Sequence, residues 1–234
     1  MAQEKEIKIR LTTLSLEDFL ERIKQAQFEY VSTSRQEDIY FDTPQWYLYE
    51  HIAALRIRKV GGRARSLAFK KVFYLAGREH PYYVEELEAN FPLQDQTILH
   101  EILDRLGIAL PTGPICTATE LATFLRSHGY IDEQHMRKTR RSYVRDDNEI
   151  VVDDIDGIGV VIELECKHDE PKEISMSLLE RSEWQSSTEG TSYMWLTKHK
   201  GLHSHLRNME RLKTEAGWNV WPTEQAWYAQ LAAH

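Results

Sequence analysis

The sequence predicts an α+β fold in which antiparallel strands close into a wide, charge-lined β-barrel with helices packed outside it. Three observations lead there. Charged residues recur with a period of two in several segments. The alternate positions carry Ile, Leu, Val and Phe. The charged positions also form short blocks of one sign, whereas a solvated sheet face ordinarily mixes signs with Ser, Thr and Gln.

The first strand shows the pattern. In Glu4-Lys5-Glu6-Ile7-Lys8-Ile9-Arg10-Leu11, the residues Glu4, Glu6, Lys8 and Arg10 share one face and Ile7, Ile9 and Leu11 the other. In 54–58, Arg56 and Arg58 oppose Leu55 and Ile57, and in 66–70, Lys70 opposes Leu67 and Phe69. Glu86 and Glu88 align in 84–88, and Glu163 and Glu165 oppose Val160, Ile162, Leu164 and Cys166. Around 136–143, Lys138 and Arg140 align, but Arg137, Thr139 and Arg141 leave the opposite face polar as well. Three registers are ambiguous because the charge is doubled: Lys70-Lys71, Glu85-Glu86 and Asp153-Asp154.

Burying unpaired charge is expensive, so such faces suit a wet interior holding both signs. Arg and Lys grip phosphate oxygens, and Arg56 beside Arg58 repels unless an anion joins the pair. Paired carboxylates suit hard cations such as Mg²⁺ or Mn²⁺. A metal-bound triphosphate uses both features at once.

Helices are expected after Ser15, over 96–106, over 119–128, and over 175–189, 191–199 and 203–216. Residues 1–200 are read as one barrel domain. Residues 201–234, with Trp218, Trp221, Trp227 and Tyr228, are read as a helical extension packed on it. Asp156-Gly157-Ile158-Gly159 reads as a tight turn and Asp42-Thr43-Pro44 as another.

Composition sets further bounds. Of 234 residues, 41% are hydrophobic and 28% charged, enough for a core in a soluble chain. No apolar run approaches the roughly 18 residues of a membrane span. The start, MAQEKEIKIR, has no apolar leader. A cytoplasmic location with no membrane partner is expected. The net charge of -8 argues against a nucleic-acid partner. The two cysteines make no disulfide framework, and Cys116 is expected to be a buried thiol. His199 and His203 are four apart, but Gly201 lies between them, so a surface position is expected rather than a zinc site. Tyr40, Tyr47 and Tyr49 have two readings, the lining of a mouth that accepts a base and packing as core aromatics, of which core packing is expected.

In order along the chain, several motifs resemble those of the CYTH superfamily of triphosphate tunnel metalloenzymes. Glu4-x-Glu6-x-Lys8 resembles its opening ExExK signature. Asp38-x-Tyr40-Phe41-Asp42-Thr43 is similar to its second block, and Leu55-Arg56-Ile57-Arg58 to its LRxR strand. Lys70, Glu86-x-Glu88 and Lys138-x-Arg140-x-x-Tyr143 follow. Asp153, Gly159, Glu163-x-Glu165 and Ser192-Tyr193 complete the series, which spans about residues 4–198.

The resemblance implies an eight-stranded antiparallel tunnel flanked by helices. It implies triphosphate contacts from Lys8, Arg10, Arg56, Arg58, Lys70, Lys138 and Arg140. It implies Mg²⁺ or Mn²⁺ held by Asp153, Glu163 and Glu165, with Glu4, Glu6, Glu86 and Glu88 as further carboxylates. Glu4, Glu6 and Lys8 would serve the catalytic step, the two acids through a second metal or the attacking water. The implied activity is a metal-dependent triphosphatase acting on inorganic triphosphate or an organic triphosphate. Two alternatives stay open: a class IV-type adenylyl cyclase making cyclic AMP from ATP, and a non-catalytic polyphosphate- or nucleotide-binding module. A homodimer is also open.

Overall fold

A computed structural model describes residues 5–74, 82–166, 178–187 and 190–214. The strands are β1 (Lys5–Leu11), β2 (Glu29–Asp42), β3 (Ala53–Val60), β4 (Arg63–Tyr74), β5 (Tyr82–Asn90), β6 (Ile131–Arg145), β7 (Asn148–Ile155), β8 (Gly159–Cys166) and β9 (Trp184–Ser187). The helices are α1 (Leu16–Gln25), α2 (Tyr47–Glu50), α3 (Thr97–Arg105), α4 (Ala118–Ser127), α5 (Thr191–Lys200) and α6 (His205–Thr214). Among the described residues, no helix is long and apolar enough to cross a membrane.

The expected closed, eight-stranded barrel is not what forms. Among the described residues, the sheet has nine strands in the order β5-β4-β3-β2-β6-β7-β8-β1-β9 and does not return on itself. Closure needs the two outermost strands to pair with each other. Here β5 and β9 end the order instead. The edge of β1 not taken by β8 is capped by β9, through Lys8 opposite Ser187 to Leu11 opposite Trp184. That strand lies inside the segment 175–189 expected to be helical. Trp184 is buried there, and its strand conformation brings it into the core.

The chain divides into two compact units, Met1–Glu37 with Met136–Gly201, and Asp38–His135 with Leu202–His234. In the first, the apolar face of the strands supplies Ile9, Ile150, Val152, Ile162 and Leu164 to a core completed by Phe19, Ile23 and Phe28. Helix α1 starts where Ser15 Oγ accepts the Asp18 N–H at 3.1 Å, with Glu17 and Asp18 set against the positive helix start. Phe19 and Ile23, one turn apart, carry its buried face. In the second unit, Leu55, Ile57, Leu67 and Phe69 pack against Leu99, Ile102 and Leu103 of α3 and Leu121 and Leu125 of α4. Each fully buried Leu or Ile contributes roughly 1.5–3 kcal/mol of transfer free energy. A reciprocal capping box between Thr117 and Glu120 begins α4.

Two glycine turns set strand registers. Gly61 and Gly62, at φ +56° and +80°, form the two-residue loop between Val60 and Arg63. Gly157, at φ +75°, turns β7 into β8, and a Cβ there would stand 2.8 Å from His199 Nε2.

Asp42 accepts backbone N–H bonds from Thr43 (2.7 Å), Leu48 (2.8 Å) and Tyr49 (2.9 Å), tying the expected turn to α2. Burial outweighs these bonds and pushes its carboxyl up to about 6.

Several smaller expectations change. Cys116 is exposed rather than buried, because it sits just before the solvent-facing cap of α4. Tyr49 is buried as expected, whereas Tyr47 is exposed and stacks on His51. His199 and His203 are both exposed, and Gly201 ends α5 between them. Trp218, Trp221, Trp227 and Tyr228 lie outside the described residues.

Candidate functional site

Strand pairing places the charged residues of the first unit on one face, because residues directly opposite each other in an antiparallel ladder point the same way. Lys8 stands opposite Glu163 and Glu6 opposite Glu165. Asp153 stands opposite Val161, and Arg140 opposite Asp153. Glu163, Val161 and Glu165 share that face by alternation, as do Lys138 and Arg140. The Asp153/Asp154 register is thereby resolved: Asp153 joins the charged face and is fully buried, while Asp154 is exposed.

The result is a buried ion network. Asp153 accepts Lys138 Nζ at 2.6 Å and Arg140 Nε and Nη2 at 2.8 and 2.7 Å. Arg140 Nη2 also reaches Glu163 Oε2 at 2.9 Å, and Lys8 Nζ lies 3.4 Å from Glu163 Oε1. Burial alone would raise the Glu163 carboxyl. Lys8, Arg140 and Lys138 overcome that and hold it at about 2. Lys8, Lys138 and Arg140 thus converge on Asp153 and Glu163 on one strand face. Arg10 lies further along β1, opposite Gln185, with Nη2 3.5 Å from the Ile158 carbonyl.

The second unit holds its own cluster. Asp38, fully buried, accepts Arg58 Nε at 2.7 Å and Nη2 at 2.9 Å, and Arg56 Nη1 lies 3.6 Å from it. The anion that the arginine pair requires is therefore supplied, in part, by the chain itself. Asp38 belongs to a motif noticed in the sequence, but no charge pattern on β2 marked it as a partner of β3. Burial and the Asp38 charge push the neighbouring Tyr40 phenol above its ordinary range.

Lys70 lies opposite Glu86, and the two pair at 2.8 Å while remaining well exposed. Glu88, opposite Ala68, is exposed too. Lys71 and Glu85 take the other face, where both are buried: Lys71 Nζ donates to the His51 carbonyl and Glu85 pairs with Arg105.

Among the described residues, no three His, Cys, Asp or Glu side chains stand close enough to hold a metal ion. The residues expected to hold Mg²⁺ or Mn²⁺ divide into two sets. Asp153 and Glu163 have their oxygens engaged by Lys138, Arg140 and Lys8. Glu165 stands between Glu6 on β1 and Glu149 on β7. Glu149 and Glu165 are oxygen donors of the kind a hard cation takes. Glu149 escaped notice because Ile150, Val151 and Val152 follow it and hide the strand period. The Glu6 side chain and all of Glu4 lie outside the described residues.

Known proteins bear on this arrangement. A curated protein of Methanocaldococcus jannaschii named a "putative adenylate cyclase" is 24% identical over 160 residues, 68% of this chain and 75% of that protein. A Hippeastrum structure, described as a "putative adenylyl cyclase" with a dominant triphosphatase activity, superposes with a TM-score of 0.57 at 19% identity. It covers 95% of this chain and 99% of its own. A Vibrio parahaemolyticus structure named a "putative adenylate cyclase" superposes at 0.54 with 17% identity, over 82% of this chain and 96% of its own. At these identities the two structures show a shared fold. The sequence model of the CYTH domain matches residues 2–189, most of the chain, with the ordered ion clusters inside the match. This chain belongs to the CYTH domain family.

Proposed function

We propose that the chain is a metal-dependent triphosphatase that hydrolyses inorganic triphosphate or an organic triphosphate, releasing phosphate. The observation that carries this reading is the convergence of Lys8, Lys138 and Arg140 on one largely buried strand face, around Asp153 and Glu163. Like charges gathered on one face repel one another, and the oxygens of a bound phosphate would relieve that repulsion. Lys8, Lys138 and Arg140 are the proposed phosphate contacts of the first unit, with Arg10 beside them. Arg56, Arg58 and Lys70 are those of the second.

Phosphoryl transfer asks a protein chiefly for positioning and for charge opposite the phosphoryl oxygens. Arg140 is held on its Nε–Nη2 edge by Asp153, so its rotamer is set before substrate arrives. Lys8 is the most exposed of the three cations. Glu6 and Glu165 are proposed to hold Mg²⁺ or Mn²⁺, which when bound would neutralise charge on the phosphate oxygens. Asp153 and Glu163 can join only after their cations turn to the substrate. Glu86 and Glu88 are proposed as outer carboxylates. Glu4 and Glu6 are assigned to orienting the attacking water.

Cyclase chemistry would employ the same grip with a ribose hydroxyl as nucleophile. The relatives named as adenylate cyclases favour testing it, and the triphosphatase described for the Hippeastrum protein favours hydrolysis. Phosphate release from tripolyphosphate, ATP and thiamine triphosphate, measured with Mg²⁺ and with Mn²⁺ beside cyclic-AMP detection, separates them. Phosphate without cyclic AMP is the expected result. Cyclic AMP in stoichiometric yield would replace the proposal with the cyclase reading, and binding without turnover would leave a binding module.

A further inference from the structure

We propose that Asp38 is a positioning residue that presets the arginine pair of β3 for an anion, rather than an anion that gives way to one. The inference rests on the reading of Arg56 and Arg58 as phosphate contacts.

The geometry supports it in three ways. Asp38 is fully buried, beneath arginines that keep 15% and 18% of their side-chain surface exposed. A phosphate that displaced it would leave a carboxylate buried without its cations, which is strongly disfavoured. The carboxylate also uses one edge of the Arg58 guanidinium, Nε and Nη2. A guanidinium has five N–H donors, so the Nη1–Nη2 edge remains able to make a bidentate contact with a second anion. Finally, the first unit repeats the device. Asp153, also fully buried, takes Nε and Nη2 of Arg140, and in both units a second base lies two residues earlier on the same strand: Lys138 before Arg140, Arg56 before Arg58. Both arginines stay cationic and partly exposed, so a phosphate can still reach them.

The test is equilibrium binding of tripolyphosphate, measured by calorimetry in metal-free buffer with the full chain. Asp38→Asn keeps the side-chain shape and removes one negative charge. If Asp38 merely competed with phosphate, this change would tighten binding. A positioning role predicts that it weakens binding about tenfold, as the Arg58 fork loses its fixed edge. Arg58→Lys cannot form the fork, so adding Asp38→Asn to it should change affinity by less than about twofold. Thermal melts check that each variant is folded. Where Asp38→Asn fails to fold, Asp38→Glu serves, keeping the charge but moving it by one methylene, with an expected loss of about fivefold or more. Equal or tighter binding in Asp38→Asn, unchanged binding in Asp38→Glu, or the same loss in both Arg58 backgrounds overturns the positioning role alone. A wild-type chain that does not bind tripolyphosphate overturns both this role and the phosphate reading beneath it.

Discussion

The charged faces of the two units obey the same two-residue period but differ in burial. In the first unit, Lys138, Asp153 and Glu163 are buried and joined by Arg140 into one network. In the second, Asp38 holds Arg56 and Arg58 under cover, while Lys70 and Glu86 pair in the open. Periodicity places a charge on a face, whereas burial decides what that charge is worth. A buried network in low dielectric is high-stakes, strongly destabilised by loss of one member. An exposed pair is screened and contributes little.

The largest effect that would sharpen this contrast is Arg140→Ala. It strands Asp153 and Glu163, and the loss of stability should be about 3–5 kcal/mol by urea unfolding. A loss below about 1 kcal/mol would break the claim that the network is a buried unit.

The next effect is in pH. The Glu163 carboxyl is held at about 2, below the ordinary glutamate range near 4.5. A depressed carboxyl contributes stability above its unfolded value, and that stability is lost as pH falls through the folded one. At about 1.4 kcal/mol per pKa unit, the loss between pH 4.5 and pH 2 should be on the order of 3 kcal/mol. Glu163→Gln should flatten the melting temperature across this window relative to wild type. A slope equal to wild type would show that Glu163 is not the group responsible.

Lys8→Ala probes function more than fold, since Lys8 is only partly buried. Turnover of tripolyphosphate should fall at least about tenfold, equivalent to roughly 1.4 kcal/mol of barrier. Undiminished turnover would remove Lys8 from the site.

The smallest effect belongs to Lys70→Ala. Stability should move by about 0–1 kcal/mol, as for other exposed ion pairs. KM should nonetheless rise by a few-fold if Lys70 grips phosphate. A shift in stability comparable to that of Arg140→Ala would erase the contrast between the units.

Much of this was readable in advance, and the failures have physical causes. Strands β1, β3, β4, β5 and β8 were legible because each alternates charge with an aliphatic or aromatic residue. Helices α1, α3 and α4 were legible from their caps and their apolar spacing. Strand β7 was not, because Ile150, Val151 and Val152 run together: Ile150 and Val152 enter the core while Val151 sits buried among charges on the other face. The first half of β2 is exposed on both faces, Tyr30 and Val31 included, and so carries no period. The short β9 is set by pairing with β1, a contact distant in sequence.

By itself, then, the order of residues determined which side chains share a strand face, since alternation is a property of the extended backbone. From that came the basic pairs Arg56/Arg58 and Lys138/Arg140 and the acidic pair Glu163/Glu165. Only the tertiary structure decided which carboxylate answers which base. Asp38 meets Arg58 across 20 residues and Asp153 meets Arg140 across 13. It also decided that Lys70 and Glu86, not Lys71 and Glu85, share the arginine face, and that the sheet ends in two edges instead of closing. These outcomes depend on strand register and pairing partner, which are settled by packing between segments far apart in the chain and leave no local trace in the sequence.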